Sequence, residues 1–439
     1  MVNLPGPGSG AGSGGNFLEQ LLGDLLKMMG SGATGGGARV ELARTLAHGV
    51  ASGGEAEANV EPVDRIALEE LVRLAAMHVA ELTDLPVAPV EVLALAPGSW
   101  AWHTVEDWRY LLESMSPPGA VDVNALAGGL GLAGGSEEGG AGELLARWMA
   151  TMGPMLAAMQ LGSAIGHLAR STFGSYELPV PRPGPRRLLL VPANITSFAA
   201  DWSLPLDQVR LWVCLREVTT AAVLDRPHVA DRLRDLLSDV VAGISEGAGG
   251  MLQRLEGLDP SDPESLQRLL GEPETLFEAE PSPARQQASE RLMAVTAALL
   301  GYVEHTLDRA ASRLLGGRTA MTEAWRRRQV DRESGERAAE MLIGLDLGPA
   351  QIDRGVAFVE GVVERAGEAG LRRLWERAAT LPTPAEIDAP GLWLERISFE
   401  PLGSDGRPEG PGPTGSRPDR RADPPSDGGS GDGGWQAGS

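Results

Sequence analysis

The stretch Arg210 to Val229, RLWVCLREVTTAAVLDRPHV, decides how this chain is read. Leu211, Cys214, Leu215, Val218 and Ala222 recur at helical spacing and form one apolar stripe, while Val209, Trp212, Val213 and Val223 form a second. A helix that is apolar nearly all round belongs inside a fold, so its polar residues, Arg216, Glu217, Thr219 and Thr220, must be accommodated there. Arg216 and Glu217 are neighbours in sequence and point about 100° apart on a helix, so they do not neutralise each other. A buried arginine or glutamate is costly unless it is paired and hydrogen-bonded. Partners have to come from other elements, or the helix has to border an open, wet cleft.

Residues 216 to 220, Arg-Glu-Val-Thr-Thr, fall on the frame His-Glu-x-x-His. That frame binds zinc because side chains four apart share a helical face, so two imidazoles grip one ion while the intervening glutamate polarises a zinc-bound water. Here both imidazoles are replaced. A guanidinium does not lose its proton and a neutral hydroxyl is a weak zinc ligand, so Arg216 and Thr220 make no such site, and Glu217 keeps only the position of a general base.

Working outward, the spacing predicts helices over 39–52, 62–82, 205–224, 228–246, 285–315, 319–344 and 349–379. A long apolar helix over 143–171 contains Pro154, which is expected to kink it or split it in two. The exception to the helical pattern is RRLLLVPANI, 186–195, which suits a short strand. Trp100, Trp102 and Trp108 are expected as core anchors, and the closing LPTPAEIDAPGLWLERI as a Pro-rich loop. The resulting fold class is mainly α, a helical domain with a short strand or small sheet. Its organisation reads as a flexible arm with one amphipathic helix over 1–38, a helical region over 39–142, a helical body over 143–399 and a disordered acidic Gly/Pro-rich tail over 400–439.

Composition narrows the function classes. Acidic residues outnumber basic ones 60 to 38 in the 439-residue chain, giving a formal net charge of −22 and arguing against nucleic-acid binding. The same excess repels anionic membranes, and no apolar run reaches the roughly 20 residues of a membrane span. Cys214 is the sole cysteine, which excludes an internal disulfide, and the N-terminus lacks the features of a secretory signal, so a cytoplasmic location is expected. The run WRRR, 325–328, is followed directly by DRESGE and reads as a salt-bridged solvated face.

Several ordered segments carry a family resemblance: LGSAIGHLARSTFGSYELPVP; LLLVPANI; LPLDQVRLWVCLREVTTAAV; MAVTAALLGYVEHTLDRA; and the stretch from LGPAQIDRG to GLWLERI. Over roughly 143–397 they resemble the actinobacterial zincin-like metallopeptidases, a family known as zinc-dependent metalloproteases or as proteins associated with deazaflavin-coenzyme biosynthesis. The resemblance implies a zincin-like fold for the 143–399 body, with two histidines and a catalytic glutamate on the first motif helix and a further acidic or histidine ligand on a later one. In this sequence those positions are Arg216, Glu217 and Thr220, then Leu300, Gly301 and Tyr302.

The leading expectation is therefore a catalytically inactive zincin-like homologue, a pseudoenzyme with a binding or structural role, needing no metal or cofactor although active relatives use zinc. Arg216 is a fixed cation where a zinc ion would sit, and Glu304 or Asp308, four apart on the second helix, are candidates to pair with it. An alternative is a working metallohydrolase that uses His228, His305, Glu217, Glu304 and Asp308 in a different set. A third is an interaction or scaffold protein acting through its terminal arms. The partner is expected to be a protein or small ligand that the sequence does not identify.

Overall fold

A computed structural model describes residues 36–115, 139–256, 282–314, 319–331 and 334–399. The amphipathic helix expected in the N-terminal arm and the acidic tail over 400–439 lie outside the described residues. The chain divides into a unit ending at Glu400, which holds every described residue, and a second from Pro401 to Ser439.

The element order is α1 (Gly36–Ser52), α2 (Pro62–Thr83), β1 (Glu91–Ala94), α3 (Pro97–Asp107), α4 (Arg109–Met115), α5 (Gly139–Ala169), β2 (Arg187–Leu190), α6 (Pro192–Asp201) and α7 (Leu206–Leu224). It continues with α8 (Pro227–Glu256), α9 (Pro283–Leu314), α10 (Thr319–Val330), α11 (Ser334–Leu342), α12 (Pro349–Arg372), α13 (Pro384–Ile387) and α14 (Pro390–Phe399), with 3-10 turns at Arg373–Trp375 and Ala378–Thr380. The fold is mainly α, as its periodicity predicts. Many prolines stand at helix starts, where the missing N–H costs nothing and the fixed φ suits the first turn.

Several expectations need correction. The strand predicted over 186–195 stops at Leu190, because Pro192 opens α6 and Asn194 and Ile195 belong to that helix. The helix predicted over 319–344 is two, α10 and α11. The closing loop forms α13 and α14, the former started by a Thr383/Glu386 capping box. Trp100 and Trp108 are buried, but Trp102 is only partly covered and lies under the Arg44 guanidinium at 5.0 Å. As for Pro154, α5 runs through it as one helix.

The sequence reading also passed over β1, which pairs in parallel with β2 in the register Glu91↔Arg187 to Ala94↔Leu190. This two-stranded sheet separates two apolar clusters. Leu188 and Leu190 of β2 enter the cluster built around Phe173, Trp212 and Trp325, while Leu189 enters the larger one around Trp100, Leu292 and Phe358. Alternate side chains on a strand face opposite ways, so three consecutive leucines serve both cores. The α7 helix crosses the same boundary: Val209 to Ala222 pack in the smaller cluster, Val223 and Leu224 in the larger.

Where α9 crosses α12, backbone meets backbone. A Cβ added at Gly301 would collide with the Gly355 carbonyl, and one added at Gly355 would collide with the Ala297 carbonyl. Only glycine at both positions allows this approach. Among the described residues, no helix is long and apolar enough to cross a membrane.

Candidate functional site

The α7 helix is buried along almost its whole length, as its sequence requires, and its polar residues turn to other elements or to the helix's own backbone, with Arg216 Nε enclosed without a hydrogen-bond partner among the described residues. Arg216 donates from Nη1 to Glu304 Oε1 on α9 at 2.8 Å, and both side chains are largely buried. Its guanidinium lies 4.5 Å from the Trp325 ring centroid and 5.8 Å from that of Trp212, and the two indoles are themselves 5.1 Å apart. Trp325 also receives Arg328, at 5.2 Å. Arg328 continues to Glu177 Oε1 at 2.7 Å and the Ser171 carbonyl at 2.6 Å, with its guanidinium 4.2 Å from the Phe173 ring. Charge-assisted hydrogen bonds and cation–π contacts thus occupy the face where a metal-binding helix would present its ligands.

The remaining first-helix positions follow suit. Thr220 Oγ1 donates to the Arg216 carbonyl at 3.0 Å and Thr219 Oγ1 to the Leu215 carbonyl at 2.7 Å, so both hydroxyls are turned back onto their own helix. Glu217 sits against the Gly174–Tyr176 turn, where the Tyr176 N–H donates to its two oxygens at 2.9 and 3.2 Å. The approach is so close that a Cβ on Gly174 would fall 2.6 Å from the Glu217 carboxyl carbon. Burial pushes the Glu217 carboxyl up to about 8, although the Tyr176 N–H and Arg182 favour its charged form. Cys214 is buried, and desolvation pushes its thiol well above the ordinary range, which makes it inert at neutral pH.

On α9, Leu300 is buried in the larger core, Gly301 makes the crossing with Gly355, and Tyr302 is buried edge-on against Trp375 with ring centroids 5.6 Å apart. Of the two candidate partners of Arg216, Glu304 meets it and Asp308, one turn on, is exposed. His305 Nε2 lies 2.9 Å from Glu368 Oε1, and Arg309 Nη1 donates to Glu368 Oε2 at 2.8 Å. Glu368 directly follows Gly367, whose φ of 65° breaks the helical path of α12. Burial lowers the pKa of His228, whose Nε2 is enclosed without a hydrogen-bond partner among the described residues.

Zinc does not fit the positions that the sequence resemblance assigns to its ligands. One is a guanidinium already paired with a carboxylate, one a hydroxyl bonded to backbone, and three are helix-packing residues. Among the described residues, no three His, Cys, Asp or Glu side chains converge as a metal ion would require. The sequence reading missed Trp325, Arg328 and Glu177 as neighbours of this face. Their signal was the WRRR run: Arg326 and Arg327 are exposed, with Arg327 paired to Glu323 at 2.6 Å, but Trp325 and Arg328 turn inward, which corrects the purely solvated reading of that face.

The geometry of α7, with Glu217 seated on the turn that follows α5, can be set beside known proteins. The family model of the zincin-like metallopeptidases matches residues 39–394, beginning well before residue 143, where the sequence resemblance starts. A crystal structure of a proposed hydrolase with a novel fold, from Chloroflexus aurantiacus, is similar at a TM-score of 0.53 and 22% identity, covering 82% of this chain and 99% of that one. That likeness speaks for the fold. No curated protein matches the chain. With the family model spanning most of its length, this chain belongs to the zincin-like metallopeptidase family.

Proposed function

We propose that this chain is a catalytically inactive member of its family, retaining the scaffold for a binding or structural role. The observation that carries the reading is Arg216. Its guanidinium, 2.8 Å from Glu304 and 4.5 Å from the Trp325 ring centroid, supplies a permanent positive charge where the family's motif places a metal ligand. An arginine there holds α7 and α9 together through the carboxylate, a task that a shared metal ligand set would otherwise perform. Glu217 supports the same reading. A general base needs a water to act on, and this carboxyl instead accepts hydrogen bonds from the backbone of residue 176.

The test is the zinc, iron and manganese content of the untagged full-length protein by plasma mass spectrometry, with Glu217→Gln as a control. Substoichiometric metal in a folded sample is expected. Stoichiometric metal that survives dialysis would overturn the proposal and direct the search for ligands to His228, His305 and the carboxylates around them.

A further inference from the structure

On the side of α7 away from Arg216 lies a cavity of about 240 Å³. Val218, Ala221, Ala222 and Asp225 of that helical path line it, with Leu224 at one flank; the first four decide which way the cavity faces. At about 100° per residue they project within roughly 60° of the direction opposite Arg216, so this is not the face that inherits the metal positions. Alanine at 221 and 222 leaves room that larger residues would fill. Val87 and Val90, ahead of β1, add to the apolar lining.

The rest of the lining includes an ionic group. Arg182, Arg186, Arg187 and Asp107 form it, with Asp225 at the α7 end, so three guanidinium groups face two carboxylates. Asp107 is divided between Arg182, at 2.9 Å, and Arg187, at 2.7 Å, and both arginines are thereby fixed in place. Arg182 is further anchored by the Ser175 carbonyl at 3.0 Å and stands over the Trp100 and Trp108 rings. His103 adds no further positive charge, because burial and the neighbouring Arg187 hold its pKa below the ordinary value. Arg186 is different. Its side chain is 55% exposed and meets Asp225 at 3.6 Å, longer than a guanidinium–carboxylate fork, so it is held loosely at the mouth. The Pro183-Gly184-Pro185 rim between these arginines is stiffened by two fixed φ angles. In a chain of net charge −22, this chamber carries one positive charge in excess.

We infer that this cavity binds a small organic monocarboxylate, its acid group met by Arg186 and Arg187 at the mouth and its short apolar body lying against Val218, Ala221 and Ala222. The single excess charge selects a monoanion over a dianion. The volume, below the roughly 300–1,000 Å³ of drug-sized sites, sets the size of the body. The apolar wall separates such a ligand from a bare inorganic anion. The inference does not depend on whether the opposite face of α7 binds metal.

The test titrates the full-length protein at low ionic strength with sodium butanoate, sodium phenylacetate, butanamide and inorganic phosphate, following heat of binding and Tm. The carboxylates are expected to bind saturably and raise Tm, at least tenfold more tightly than the amide or phosphate. Arg186→Gln, at a half-exposed position, should weaken carboxylate binding about tenfold, or ~1.4 kcal/mol. Ala221→Phe, which places a ring in the chamber, should abolish it. No saturable carboxylate binding at millimolar concentration would overturn the inference, as would an amide or phosphate that binds as tightly. Carboxylate binding unaffected by both substitutions would overturn it as well, by placing the site elsewhere. Arg186→Gln alone decides this point if Ala221→Phe does not fold.

Discussion

The two sides of α7 make a useful contrast. Toward α9 and α10 a guanidinium, a carboxylate and two indoles pack together, and Arg216 and Arg328 both lie against the Trp325 ring. Away from them the helix carries Val218, Ala221 and Ala222, and a chamber of about 240 Å³ stays open. One helix thus borders a face filled by paired charges and rings and, on its other side, an open chamber. What decides between filling and opening is the volume of the residues at each position.

Four substitutions sharpen or break that contrast. Arg216→Ala removes one partner of a buried pair and is expected to cost about 3–5 kcal/mol in urea unfolding; unchanged stability would mean that the ion pair does not hold the filled side together. Gly174→Ala pushes a methyl group toward the Glu217 carboxyl and should cost about 1–3 kcal/mol, measured in the same way. Glu217→Gln is expected to change stability at neutral pH by roughly 1 kcal/mol and, more tellingly, to alter its pH dependence. The folded carboxyl, pushed up to about 8, keeps its proton over a range where the unfolded chain releases it. Its contribution is therefore complete below the ordinary glutamate value and falls away as pH rises toward about 8, so the Gln variant should show a flatter decline in Tm across that window. Arg313→Ala, breaking an exposed 3.1 Å pair with Glu81, should move stability by less than about 0.5 kcal/mol. A larger effect there would show that surface pairs contribute more than the contrast between the two sides of α7 allows.

Much of this was legible in the sequence, because it depends on local periodicity. The stripes of α7 announced a buried helix, and the requirement that a buried arginine be paired pointed to the α9 carboxylates, of which Glu304 makes the contact. What was not legible depends on long-range placement. The four-residue β1 is too short to show an alternating pattern, and it exists because β2, nearly a hundred residues later, gives it a hydrogen-bonding partner. Arg328 lies in a run of charges that looks solvated until α10 turns one of them toward Glu177. The prolines misled in the other direction: PTPAEIDAPG reads as loop by composition, although two of its prolines start helices. The chamber behind α7 joins residues from five separate stretches of chain, and no spacing rule connects them.

The crossing of Gly301 and Gly355 has a consequence for genetics. Because the two backbones are in contact there, a single added methyl group acts as a wedge along both helices, with no flexible side chain to absorb it. A strain carrying Gly355→Ala is a natural candidate for a conditional allele, permissive in the cold and null on warming. Such an allele would let the protein be withdrawn from a living cell by temperature alone, and its physiological role be read from what fails first.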